Sequence, residues 1–264
     1  MSDGQHEQQD HITDEGDIPD RDCIPSGECV PIGESNTPLR ALESAQSYVA
    51  RSAATSCTCD GSSTSFAASF KAVLDWGEAN ALIRPEGDFL FFQRVADGFG
   101  DEHEGWFDEA SNRWFKATYH NQFGLAWGRT GSATVGEYLT RLLLQNHYFG
   151  DDIQLVALIE SRQKLRVLTS QPHVAGEAAL YEDIHKWFCG LGFCRLEASG
   201  SIAWYLKSEN LLVADAHEGN VIRTERGTLV PIDLNLMQPY GKMLAWVDAT
   251  LQRCAAAAGG AENR

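Results

Sequence analysis

The sequence is short of positive charge: 21 Lys and Arg stand against 37 Asp and Glu, for a formal net charge of −16. Broad, sequence-independent binding to DNA or RNA depends on cations that neutralise phosphates, so nucleic acid is not an expected partner. A single nucleotide stays open, because it needs only a nest of amides, one or two cations and a metal, which acidic groups hold. Long apolar runs are also missing: none reaches the roughly 18 residues of a membrane-spanning helix, and the first residues form neither a basic nor an apolar leader segment. No membrane partner is expected, and the cytoplasm is the expected location. Cysteine is scarce and odd in number, seven in all, which favours reduced thiols over a disulfide framework.

What the chain does have is 264 residues with 43% hydrophobic content, enough for the core of one large or one two-lobed domain. The first 60 residues read differently from the rest. Up to Glu34 they hold ten Asp or Glu against one Arg, with many Gly, Ser, Pro and Gln, so residues 1–60 are expected to form a disordered acidic tail. Cys23, Cys29, Cys57 and Cys59 lie there, and their spacing matches no strong zinc pattern.

Beyond the tail, Phe66, Phe70, Val73, Leu74 and Leu82 approximate helical spacing over residues 65–83. Two β-like stretches follow, Phe89–Ala96 and Gly105–Thr118, the second with a turn near Ala110–Asn112. Thr134 and Glu137 have the capping-box spacing, and Tyr138, Leu139, Leu142 and Leu143 continue it as a helix. Ile153–Glu160 and Leu165–Thr169 read as a strand pair, ended near Gln171-Pro172. Helices are expected over 178–188 and 243–258, a strand over 201–206, and a hairpin from Asn220 to Ile232. Strands first and helices later indicate an α+β chain with two lobes.

The segment richest in chemistry runs from Leu211 to Leu234. Asp215 and Asn220 are five positions apart, and Asp233 follows thirteen later, an interval that fits one hairpin turning at Arg226-Gly227. Phosphoryl transfer needs a carboxylate near the attacking group and oxygens that hold Mg²⁺ on the phosphates. Asp215, Asn220 and Asp233 offer these.

Ala214-Asp215-Ala216-His217-Glu218-Gly219-Asn220-Val221-Ile222 resembles the catalytic loops of aminoglycoside and choline phosphotransferases, within the protein-kinase-like superfamily. The narrower resemblance is to the kinase domains of phage and mobile-element polyvalent proteins. It rests on Glu102-His103-Glu104, Trp114-Phe115-Lys116, Glu137-Tyr138-Leu139, Leu142-Leu143-Leu144-Gln145-Asn146, Phe149-Gly150-Asp151-Asp152, Thr169-Ser170-Gln171-Pro172 and Val230-Pro231-Ile232-Asp233, and covers roughly residues 70–240.

The resemblance implies a two-lobed kinase-like fold: a helix and β-rich N-lobe over 61–172, and a short, reduced helical C-lobe over 173–258. It implies ATP and Mg²⁺ as cofactors and a hydroxyl acceptor, with protein Ser, Thr or Tyr as the leading class and a small amino sugar or alcohol as the alternative. A third reading is an inactive nucleotide-binding module. By resemblance, Asp215 handles the acceptor proton, Asn220 and Asp233 hold the metal, and Lys116 meets the α- and β-phosphates. Glu137 either pairs with Lys116 or simply caps its helix. Gly98 and Gly100 belong to a glycine-rich turn over the phosphates, although Asp101, Glu102 and Glu104 would repel phosphate unless they point away. Thr169 and Gln171 fall where a hinge meets adenine, and His217 orients the loop or serves the fold. Asp233-Leu234-Asn235 departs from the kinase Asp-Phe-Gly, and the 31 residues after Asp233 leave no room for an activation segment.

Overall fold

Two segments dominated by helix lead into the first sheet. The structure, a computed structural model, describes residues 38–55, 64–124, 132–162, 164–198 and 201–261, all within the unit Asn36–Arg264. Helix α1 spans Pro38–Thr55 and α2 spans Thr64–Ala79. The expectation of a tail through residue 60 is therefore corrected for 38–55. Leu42, Ala45 and Val49 recur at helical spacing and are buried, but with alanine among so few apolar residues the stripe is faint in the sequence. The remainder of that tail, with its four cysteines, lies outside the described residues. Among the described residues Cys189, Cys194 and Cys254 are free thiols, and no helix is long and apolar enough to cross a membrane.

The first sheet has five antiparallel strands: β1 (Gly98–Phe99), β2 (His103–Asp108), β3 (Arg113–Thr118), β4 (Gln154–Ser161) and β5 (Lys164–Pro172), in the order β1-β2-β3-β5-β4. Helix α3 (Val135–Phe149) enters between β3 and β4. Its start is the capping box foreseen from Thr134 and Glu137, with both reciprocal bonds present. One face of the sheet packs on α1, α2 and α3 through Leu42, Val73, Trp76, Leu139, Leu155 and Leu158. Leu155 and Leu158 would face opposite ways in a regular strand. A register shift between Leu155 and Ala157 turns both toward the helices.

Phe89–Ala96 is not a strand, and here the sequence expectation is corrected. The segment forms 3₁₀ turns at Glu86–Asp88 and Leu90–Gln93. Strand alternation would send Phe91 and Phe92 to opposite faces. Instead Phe91 lies 5.3 Å and Phe92 4.8 Å from Trp106, ring centre to ring centre, so the turn lets neighbouring rings share one apolar site on the sheet's other face.

After β5 come β6 (Glu177–Ala178), α4 (Tyr181–Gly190), β7 (Cys194–Ala198), β8 (Ser201–Leu206), β9 (Leu211–Ala214), β10 (Val221–Arg223), β11 (Leu229–Pro231), β12 (Asn235–Met237) and α5 (Gly241–Ala261). The chain is thus mixed α and β with antiparallel sheets. Among the described residues, its C-terminal part holds seven strands beside two helices, where a helical lobe was expected. The sheet β12-β9-β8-β7 lies between α4 and α5. Leu211 and Val213 pack on the α4 side and Leu212 and Ala214 on the α5 side, so all four positions of β9 are apolar and alternation disappears.

Packing of α1 is the feature the sequence concealed, and it sets a direct test. Leu42→Ala, at a fully buried position, should cost about 2–5 kcal/mol, read as a lower urea midpoint. An unchanged midpoint would mean that α1 is not part of the core.

Candidate active site

Two strand registers gather the polar residues of the Leu211–Leu234 segment. Ala214 lies opposite Asn235 where β9 pairs with β12, which sets Asp215 beside the turn that carries Asp233. Val221 lies opposite Pro231 where β10 pairs with β11, and the Ile232 amide donates to the Asn220 carbonyl at 2.9 Å, which sets Asn220 beside the same turn. The expected hairpin is present, with Gly227 at φ +78° in its turn.

Asp215 stands at φ +62°, a left-handed conformation uncommon for a residue with a side chain and associated with functional loops. Its carbonyl accepts from the Asn220 side-chain amide at 2.9 Å and from the His217 backbone N–H at 3.1 Å. The His217 Nε2 is 3.5 Å from the Asp215 carboxylate. Asn220 thereby commits its NH₂ group and leaves Oδ1 as the atom able to face a cation. Partial desolvation raises the Asp215 carboxyl above its ordinary value. Asp233 and Glu102 add to this, while His217 and Asn220 oppose it.

Asp233 sits near two cations, Lys116 and Arg141, and two imidazoles, His103 and His217. Burial alone would raise its carboxyl, but Lys116, His103, Arg141 and His217 outweigh burial and hold it below the usual range. Among the described residues its carboxylate accepts no hydrogen bond. An ionised, half-buried carboxylate without hydrogen-bond donors, next to a free amide oxygen, suits a divalent cation. No cluster of three or more His, Cys, Asp or Glu among the described residues is arranged to hold a metal by itself.

Lys116, on β3, donates to the Ile232 carbonyl at 3.3 Å, so it reaches the same turn. Glu137 does not meet it. The Glu137 carboxylate accepts from the Thr134 backbone N–H at 2.7 Å, and no ion pair with Lys116 occurs among the described residues. Of the two readings open for Glu137, the geometry is that of the cap, and the helix-to-lysine pairing is corrected.

The face of α3 toward the site instead carries Tyr138, Arg141, Leu142 and Gln145. Arg141 makes a bidentate pair with Glu102 and lies over the Tyr138 ring at 5.0 Å. Sequence reasoning missed Arg141 and Gln145. Polar residues at i, i+3 and i+7 on an otherwise apolar helical face were the signal.

Gly98 and Gly100 lie at the β1–β2 turn, where the Gly100 amide donates to His103 O at 2.9 Å. Neither has a positive φ, and a Cβ at either would make only ordinary contacts. The fold therefore does not itself demand glycine there. The expected phosphate repulsion is eased: Glu102 is paired with Arg141, and Glu104 with Arg166. His103 lies just beyond this turn. It opens β2, is buried, and its Nε2 shares a hydrogen bond of 2.8 Å with Tyr138 Oη.

Thr169 and Gln171 are buried in β5. Thr169 is paired to Lys116 on one side and Leu155 on the other, so its backbone is taken up by the sheet. A hinge offering backbone groups at Thr169 is corrected on that ground. Its side chain lines the small cavity, about 10 Å³, that also touches His103, Lys116, Arg141, Gln171 and Asp233. That volume is the room one water requires.

A lysine on the third strand, a helix after it, two more strands, then an Asp–Asn–Asp constellation is the element order of kinases, and the fold is compatible with that class. Residues 126–237 match the family model Kinase-PolyVal, the Serine/Threonine/Tyrosine Kinase found in polyvalent proteins. Over that stretch the chain is similar to this kinase family, in line with the resemblance of its catalytic-loop residues. The match takes in α3, Asp215, Asn220 and Asp233 and stops short of Lys116 and the glycine turn. No curated protein and no solved structure matches the chain.

Burial pushes the His103 imidazole down from 6.5 to about 4; Asp233 and Glu102 oppose this, and Lys116 and Arg141 reinforce it. Because the folded value lies below the unfolded one, His103 gives its full contribution above about pH 6.5, and that contribution falls away as pH drops toward 4. The total is on the order of 3 kcal/mol. NMR titration of the ring should show it neutral at pH 5; a midpoint near 6.5 would contradict the buried placement.

Proposed function

We propose that this chain is an ATP- and Mg²⁺-dependent phosphotransferase that acts on hydroxyl groups of protein side chains. The single observation behind the proposal is the meeting of Asp215, Asn220 and Asp233 through two independent strand registers, with the Lys116 ammonium on the same turn. The match of residues 126–237 to a kinase family model supports the reaction class.

Each residue has a role that follows from its surroundings. Asp215 accepts or orients the hydroxyl proton of the acceptor, and its raised carboxyl moves it toward the working range of a general base. The carboxylate of Asp233 and Oδ1 of Asn220 would hold Mg²⁺, which would supply charge neutralisation for the phosphates. Lys116 gives its remaining N–H donors to the phosphates. The glycine turn would cover the phosphates with less repulsion, because two of its three acids, Glu102 and Glu104, are paired with Arg141 and Arg166. Asp215 keeps 62% of its side chain in solvent, which leaves it accessible to a hydroxyl on a macromolecule and favours a protein acceptor over a small enclosed one.

Purified protein with Mg·ATP should transfer phosphate to serine, threonine or tyrosine of an added protein. Asp215→Ala should lose about 10²–10⁴-fold in rate and keep nucleotide binding, whereas Asp233→Ala should weaken Mg·ATP binding itself. Transfer only to amino sugars or alcohols would move the acceptor to the small-molecule class. Thermal stabilisation by Mg·ATP without any turnover would leave a binding module, and full transfer by Asp215→Ala would refute the assignment.

A further inference from the structure

The backbone on both sides of Asp233 is held by side chains from elements far away in sequence. Gln145, from α3, donates from Nε2 to the Pro231 carbonyl at 3.0 Å and accepts at Oε1 from the Leu234 amide at 3.3 Å. One side-chain amide thus bridges residues 231 and 234, as a neighbouring strand would. Gln171, from β5, donates to the Ile232 carbonyl at 3.0 Å. Both glutamines also donate to Oδ2 of Asp151, which joins them into one unit, and both are almost wholly buried at 2% and 4% exposure.

A buried glutamine is costly unless its amide is satisfied, and here the groups that satisfy it are those flanking Asp233. Neither glutamine is in the set that touches metal or phosphate in the proposed reaction. We infer that Gln145 and Gln171 are positioning residues: together with Asp151 they form an amide clamp that presets Asp233 for the metal before any ligand arrives. The inference rests on the proposed phosphotransferase reading for the identity of the metal, and on the hydrogen bonds alone for the preset turn. It also assigns a task to the residues that replace Phe and Gly after this aspartate. Leu234 is 2% exposed and packs in the core, its amide is bonded to Gln145, and Asn235 is paired into β12. The turn has no glycine to swing on and is fastened at both ends.

Two measurements test the clamp. In the unmodified protein without ligand, hydrogen exchange at the Leu234 amide should be slowed at least a hundredfold and should change little when Mg²⁺ and ATP are added. Exchange at the free-peptide rate without ligand would overturn the inference. Second, calorimetric titration with Mg²⁺ in the presence of ATP should show Gln145→Leu and Gln171→Leu each weakening Mg²⁺ binding about tenfold. For Gln145→Leu, ATP binding in EDTA should change less than twofold. Unaltered Mg²⁺ affinity in a folded variant would overturn the inference. Should the leucine variants fail to fold, Gln145→Glu keeps the acceptor for Leu234 and loses the donor to Pro231. It is expected to weaken Mg²⁺ in the same way, and the exchange measurement decides in any case. If the unmodified protein binds no Mg·ATP while Leu234 is protected, the phosphotransferase reading fails and the preset turn stands.

Discussion

The structure depends on a backbone constraint: β12 is antiparallel to β9, β11 is antiparallel to β10, and the single turn Ile232–Leu234 belongs to both pairs. A slip of one residue in either register would turn every side chain of that strand to the opposite face. Asp233 would then leave the neighbourhood of Asp215 or of Asn220. The apolar residues fix the registers, because Val221, Leu234 and Leu236 are buried in the α4 core and Ala214 in the α5 core. Packing in these two cores therefore determines where three polar groups meet.

The electrostatics around that meeting point follow from the same placement. Lys116 and Arg141 approach Asp233 from β3 and α3 and hold its carboxyl below the usual range, while the buried His103 ring lies near it from β2. Arg141 is at the same time neutralised by Glu102, so its charge is shared between the glycine turn and the site. This arrangement differs from a simple lysine–glutamate pair across the helix, since Glu137 is used as a cap. The helix contributes an arginine and a glutamine where a glutamate was expected.

Much of this was legible in the sequence where local chemistry and periodicity agree. The capping box at Thr134, the hairpin turn at Gly227 and the spacing of Asp215, Asn220 and Asp233 each carry a local signature. Other features were hidden because their cause is tertiary. Helix α1 buries a stripe that includes alanine, and the Phe89–Gln93 run gives up strand alternation so that adjacent rings reach Trp106. Strand β7, which pairs with β8, was by contrast legible though not expected, since Cys194-Arg195-Leu196-Glu197-Ala198 alternate apolar and polar. Arg141 and Gln145 look like surface residues of an amphipathic helix until Glu102 and the Pro231–Leu234 backbone are brought to them.

The most direct measurement of the account is paramagnetic line broadening in NMR spectra of the labelled protein with Mn²⁺·ATP in place of Mg²⁺·ATP. The account predicts strongest broadening at the Asn220 side-chain amide and at the backbone amides of residues 232–234, with Ala216 and His217 next. Broadening centred elsewhere, or none at saturating Mn²⁺·ATP, would contradict it.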